Sequence, residues 1–250
     1  MTRRTSRARV FLALFTLSFG SAGAGFQSAE EEQKRLEEAV WNKLKAEKLD
    51  EEVSEIQVKD SVVTLRGKPA NAYSKMKAIE AALSVEGVSE VESDLEVAEP
   101  ESADDFTKDL VDRVLTYPHY TVFDDITFQL EDEGVVTLGG YVTMPFKKEE
   151  LEERVGKVRG VRELKSQIQV LPTSPSDDQL RENLFQRIYG SEMFLGYAQQ
   201  AHPPIHIIVD RGNVTLTGAV RSNVEKRQAE SIVRSTFGVL QFTNRLAVNP

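Results

Sequence analysis

One five-residue pattern occurs three times in this chain, as Val63-Thr64-Leu65-Arg66-Gly67, Val136-Thr137-Leu138-Gly139-Gly140 and Val214-Thr215-Leu216-Thr217-Gly218. Each closing glycine is followed 20 residues later by a second glycine with a hydrophobic successor (Gly87-Val88, Gly160-Val161, Gly238-Val239), and 10 residues beyond that by a valine (Val97, Val170, Val248). Recurrence at fixed intervals constrains the chain to a tandem array of one supersecondary unit, because a repeated pattern of inward and outward residues repeats its packing.

Apolar residues four apart open each unit: Leu36, Val40 and Leu44; Phe106, Leu110 and Val114; Leu180, Leu184 and Ile188. That spacing is one stripe of an amphipathic helix. Period-2 alternation follows (Ile56 and Val58; Ile126, Phe128 and Leu130; Ile205, Ile207 and Val209). A polar turn and the Val-Thr-Leu strand come next, which reads as a hairpin. The 20-residue interval holds a second helix with Ala78, Leu151 and Ala229 facing inward. Gly87, Gly160 and Gly238 stop that helix, and a last strand ends the unit. Gly67, Gly140 and Gly218 are read as structural glycines that admit a bulge or a close approach of backbone. The expected fold class is α+β: three tandem α-β-β-α-β units, each with two helices packed on one face of a three-stranded sheet. Their bounds are 30–98, 103–172 and 177–250, separated by short segments rich in proline, serine and acid.

Hydrophobic residues make up 40% of the chain and charged residues 28%, which excludes both a disordered chain and a multi-pass membrane protein. The chain has no cysteine, which removes thiol nucleophiles, thiolate metal sites and disulfides. A net charge of −9 opposes any role as a duplex-coating protein, so no nucleic-acid partner is expected. His119, His202 and His206 are the histidines. Pro203-Pro204 forbids the helix that would place His202 and His206 on one face, and no third ligand is evident, so no metal is expected. No Gly-x-Ser-x-Gly elbow and no Gly-Lys-Ser/Thr phosphate loop occurs. Neither an enzyme nor a cofactor is therefore expected.

The unit resembles the BON domain, named for bacterial osmotically inducible and nodulation proteins. The third copy carries the resemblance best, through Asp210-Arg211-Gly212-Asn213-Val214-Thr215-Leu216-Thr217-Gly218 and Phe242-Thr243-Asn244-Arg245-Leu246-Ala247-Val248. The first two depart from it: Asp60-Ser61 replaces the turn glycine, Pro69 follows Gly67, and Ser93 and Ser166 stand where Asn244 does. The resemblance implies a periplasmic or envelope protein that binds phospholipid surfaces or supports envelope integrity under osmotic stress, without catalysis. The alternative is a periplasmic protein-interaction or chaperone-like scaffold, in which sheet edges or an aromatic loop engage envelope proteins.

Charge separates the copies. Net charge is −7 over residues 30–98, −5 over 103–172 and +1 over 177–250. The third unit places Arg181, Arg187, Arg221, Lys226, Arg227 and Arg234 on its two helices or their ends, where they are candidate contacts for anionic phospholipid. It also carries an insertion, Tyr189–Pro204, with Phe194, Leu195 and Tyr197. Such a loop either folds back onto its own core or serves as an interfacial wedge.

Residues 1–24 have the order of a signal peptide. Arg3, Arg4, Arg7 and Arg9 are followed by the apolar run Val10–Phe19 and by Ala22-Gly23-Ala24. The apolar run is too short to span a bilayer, so no transmembrane span is expected after cleavage. Arg3-Arg4 is followed by Thr5-Ser6-Arg7, which favours the general secretory route over twin-arginine export. A periplasmic or secreted location is expected, with a mature charge of −13. N-terminal sequencing of exported material should therefore begin near Gly25, and a product beginning at Met1 or Thr2 contradicts the expectation.

Overall fold

The structure, a computed structural model, describes residues 8–11, 25–100, 102–131 and 134–249. The first repeat runs α1 (Gly25–Ala46), β2 (Val53–Lys59), β3 (Val62–Gly67), α2 (Ala72–Leu83) and β4 (Glu90–Leu95). The second runs α3 (Ala103–Leu115), β5 (Asp125–Glu131), β6 (Val135–Val142), α4 (Pro145–Gly156) and β7 (Glu163–Val170). The third runs α5 (Pro175–Tyr189), the short α6 (Leu195–Ala198), β8 (Ile205–Asp210), β9 (Asn213–Val220) and α7 (Asn223–Arg234). It closes with one strand interrupted at Arg245-Leu246, giving β10 (Gln241–Asn244) and β11 (Ala247–Val248). Within the expected signal segment, Ala8–Phe11 forms β1, antiparallel to β4, so the first sheet has four strands instead of three. The rest of that segment lies outside the described residues.

Each repeat places its middle strand between the other two. The hairpin partners are antiparallel, and the last strand runs parallel to the middle one, as β3 with β4 and β9 with β10 and β11 show. A parallel neighbour needs a crossover, and the second helix of each repeat supplies it. Asn71 and Ser222 cap α2 and α7 by accepting hydrogen bonds from the backbone N–H of Ser74 and Glu225, and Ser174 caps α5 ahead of Pro175 at its first position. Ala78, Leu151 and Ala229 are all buried, as the second-helix spacing requires.

The repeated glycines follow from backbone geometry. A Cβ on Gly140 or Gly218 would collide with the carbonyl oxygen of Asp125 or Pro204 on the preceding strand. The hairpin turn keeps one conformation even where glycine is absent: Asp60 and Ser61 both have positive φ (51° and 65°), as do Arg211 and Gly212 (51° and 76°).

By their internal contacts the three repeats are gathered into two compact bodies. One comprises Met1–Phe106 with Gly156–Glu163, and the other Thr107–Val155 with Leu164–Pro250. In the first, Ala72 N–H donates to the Val161 carbonyl at 2.6 Å and Gly160 N–H to the Ala70 carbonyl at 3.0 Å. Lys157 also lies 4.4 Å over the Tyr73 ring. In the second body, segment 120–124 of repeat two joins the core of repeat three. Val122 belongs to the cluster of Leu184, Ile188, Ile207 and Leu216, and Phe123 packs against it.

Asp124 anchors that segment. Its carboxylate is fully buried and accepts hydrogen bonds from the N–H and Oγ1 of both Thr121 and Thr143, while Lys147 Nζ sits 2.7 Å away. Removing one member of such a pair strands the other in a low-dielectric site, so Asp124→Ala should cost about 3–5 kcal/mol in chemical denaturation. Adding Lys147→Met should recover part of that loss, and equal stability of Asp124→Ala and the unaltered chain would contradict the assignment.

Candidate functional site

The third repeat carries the candidate residues, and the structure sorts them by the work they already do. Arg181 is a correction: it is buried, donating through Nη2 to the Val209 carbonyl at 2.6 Å and through Nη1 to Asp178. A guanidinium held between α5 and β8 is not offered to a surface ligand. Lys226 donates to the Leu246 carbonyl at 2.5 Å. Lys75, at the same offset in the first repeat, donates to the Leu95 carbonyl at 2.9 Å, so this lysine is a repeated tie between the second helix and the last strand. Burial lowers the Lys75 pKa from its ordinary value.

The insertion folds back. Phe194 is fully buried and Tyr197 nearly so, their rings stacked at 6.1 Å within the third core. Their apolar area is already withdrawn from water, which corrects their reading as wedge residues. Tyr197 Oη donates to Glu225 at 2.8 Å, and burial raises its pKa above the usual phenol range. Tyr189 seals the other end of the insertion, donating to the Ile205 carbonyl at 2.6 Å and accepting from its N–H at 3.1 Å. Only Leu195 of the three remains on the surface, 47% exposed. Arg221 stacks on the Tyr197 ring at 5.1 Å, and Arg227 is exposed on α7.

At the opposite end of α7, about 18 Å away by helix rise, lies a feature that the sequence reading missed. The turn from α7 to β10 leaves Phe237 99% exposed and Leu240 76% exposed. The turn is nonetheless fixed. Leu240 N–H donates to the Gly212 carbonyl at 2.9 Å, and the Asp177 carboxylate accepts from the N–H of Arg211 and Gly212 at 2.8 and 2.9 Å. Gly238 has φ of +95°, which L side chains rarely adopt. Arg187 donates to the Ser235 carbonyl at 3.0 Å and to Thr236 Oγ1 at 2.9 Å, immediately before Phe237. Arg234 pairs with Glu230 at 2.9 Å and lies 5.6 Å over the Phe242 ring, and Arg211 projects from the adjoining hairpin turn with its side chain 76% exposed. Three arginines thus flank the turn that bears two exposed apolar side chains, two of them beside carboxylates, Arg234 with Glu230 and Arg211 3.9 Å from Asp210.

Comparison of the copies would have found this tip. Phe237 and Leu240 precede and follow the helix-stop glycine, and the equivalent residues are Glu86 and Ser89 in the first repeat and Arg159 and Arg162 in the second. Large apolar residues occupy both positions in the third repeat alone.

His206 Nδ1 donates to the Asp124 carbonyl at 2.5 Å, and His119 lies edge-on to Tyr117 and Phe146. Among the described residues no group of three or more His, Asp or Glu side chains is placed to hold a metal, and no helix is long and apolar enough to cross a membrane.

Comparison with known proteins gives three matches to the BON domain, over residues 33–99, 110–172 and 176–250. No curated protein matches the chain. Among solved structures, the chain is similar to CdsD, a structural protein of the type III secretion system of Chlamydia trachomatis (14% identity, covering 86% of this chain and 93% of that chain, TM-score 0.26). It is also similar to the periplasmic domain of the inner-membrane protein PrgH from S. typhimurium (15% identity, 82% and 100% coverage, TM-score 0.22). TM-scores this low carry no inference about arrangement or function.

Because Phe194 fills the third core, Phe194→Ala should lower stability by about 3–5 kcal/mol in denaturant titration. A surface wedge at that position would leave the unfolding midpoint unchanged.

Proposed function

The chain belongs to the BON-domain family in three tandem copies, and from that premise we propose that it is a non-enzymatic extracytoplasmic module that binds anionic phospholipid surfaces through the tip of its third repeat. The observation that carries this reading is the exposure of Phe237 and Leu240 on a turn flanked by Arg187, Arg211 and Arg234. Each apolar side chain would gain about 1.5–3 kcal/mol on leaving water for the acyl boundary. Each cation near an anionic surface adds about 1 kcal/mol. The first two repeats, at −7 and −5, would be repelled by the same surface. An extracytoplasmic location rests on the signal-like residues 1–24 and on the family.

The other end of the repeat, with Leu195, Arg221 and Arg227, is the weaker site, because its apolar contribution is half withdrawn from water. Co-sedimentation of the mature chain with phosphatidylglycerol–phosphatidylcholine vesicles separates the two ends. Phe237→Ser with Leu240→Ser should weaken binding by about tenfold or more, and added salt should weaken it further by screening the arginines. Unchanged binding by that variant, or loss with Leu195→Ser alone, would overturn the assignment to the tip.

A further inference from the structure

The first and third repeats share one more surface, and among the described residues the chain covers it only in the third. β8 is an edge strand, paired to β9 alone among the neighbouring strands. Ile207 lies opposite Leu216 at a point in the ladder where its N–H faces away from β9, and that N–H donates to the Val122 carbonyl at 2.7 Å. The incoming segment also places Phe123 against Phe185 of α5, ring centroids 6.1 Å apart, and Tyr120 beside His206 at 5.6 Å. A turn closed by the Asp124 N–H donating to the Thr121 carbonyl at 3.1 Å is therefore seated between the edge strand and the first helix.

The same geometry recurs in the first body. β2 is the edge strand of its sheet, and Ile56 lies opposite Leu65, two residues before Gly67, as Leu216 lies two before Gly218. Counted back from the pairs that flank the two-residue turns, Lys59 with Val62 and Asp210 with Asn213, Ile56 and Ile207 each lie three residues along, so the Ile56 N–H also faces outward; the register shift between Val53 and Glu55, which β8 lacks, lies beyond this point. Trp41 follows Val40 as Phe185 follows Leu184, and it is the equivalent aromatic on the first helix. Between them lies an open groove of about 770 Å³ lined by Trp41, Ile56, Glu37, Glu38, Glu55 and Lys34. Where the third repeat has Arg181 and His206, this groove has Glu37 and Glu55.

We propose that the groove between α1 and β2 binds a turn of a partner protein whose backbone carbonyl accepts from the Ile56 N–H, with an aromatic or large aliphatic side chain on Trp41 and lysine or arginine beside it. The covered groove of the third repeat supplies the carbonyl and aromatic pattern, and Glu37 and Glu38 against Lys34 supply the charge preference, Glu55 being paired with Arg66 at 3.0 Å. This inference concerns the first repeat and is independent of lipid binding by the third.

Trp41 is the only tryptophan in the chain and reports occupancy directly. The probe is a synthetic peptide of residues 119–125 carrying His119→Lys and Asp125→Lys, which keeps the bonds from Thr121 to the Asp124 carboxylate that shape the turn. On titration into the mature chain, Trp41 emission should shift saturably to the blue, and the Ile56 amide should gain protection from exchange. Glu37→Lys with Glu38→Lys, both at exposed positions, should weaken the peptide by about tenfold or more. An unchanged emission, or equal affinity of that variant, overturns the proposal. A blue shift that depends on chain concentration without peptide overturns it in favour of a second copy.

Discussion

A three-stranded sheet with both helices on one face leaves a row of backbone donors and acceptors facing outward along its first strand. What meets that row decides how self-contained each repeat is. Water satisfies such groups at modest cost, while another strand satisfies them and buries apolar surface as well. In the second body the row is met by Val122, whose carbonyl takes the Ile207 N–H while its side chain enters the third core. Asp124 holds that segment in place through five hydrogen bonds, one of them from Lys147. Most of repeat two therefore forms one body with repeat three, while its Gly156–Glu163 segment belongs to the first body, although the elements are those of separate units.

The scaffold beneath these differences is held constant by small repeated devices. Lys75 and Lys226 tie the second helix to the last strand. Asn244 accepts from the Leu246 N–H at 3.2 Å, and Ser93 accepts from the Leu95 N–H at 3.5 Å, so serine reproduces this one contact of asparagine at the matching site. With the framework fixed in this way, positions where the copies diverge are free to carry function. The helix-stop turn bears Glu86, Arg159 or Phe237, and the first helix bears Trp41, Val111 or Phe185.

The fold was legible in the sequence because its signals are local. Stripes four apart, alternation by two and glycines at fixed distances each report one element, and repetition in triplicate removes chance. Phe194 and Tyr197 were not decided by the sequence, since an aromatic loop reads alike whether it turns inward or outward, and the partner of Tyr197, Glu225, lies 28 residues away. Arg181 was misread for the same reason: its acceptor, the Val209 carbonyl, is identified only once α5 and β8 are packed together. Phe237 and Leu240 were legible but required the copies to be compared position by position instead of by total charge. The pairing of Val122 with Ile207 left no sequence signal, because backbone hydrogen bonds carry none.

The central claim is that equivalent positions on one repeated scaffold are put to different uses, closed in one body and open in the other. Residue-resolved amide exchange of the mature chain tests this most directly, because Ile207 and Ile56 occupy the same place in matching ladders. The account predicts an Ile207 amide protected to near the level of the third core and an Ile56 amide exchanging at the rate of an exposed edge. Equal protection at the two amides would contradict it.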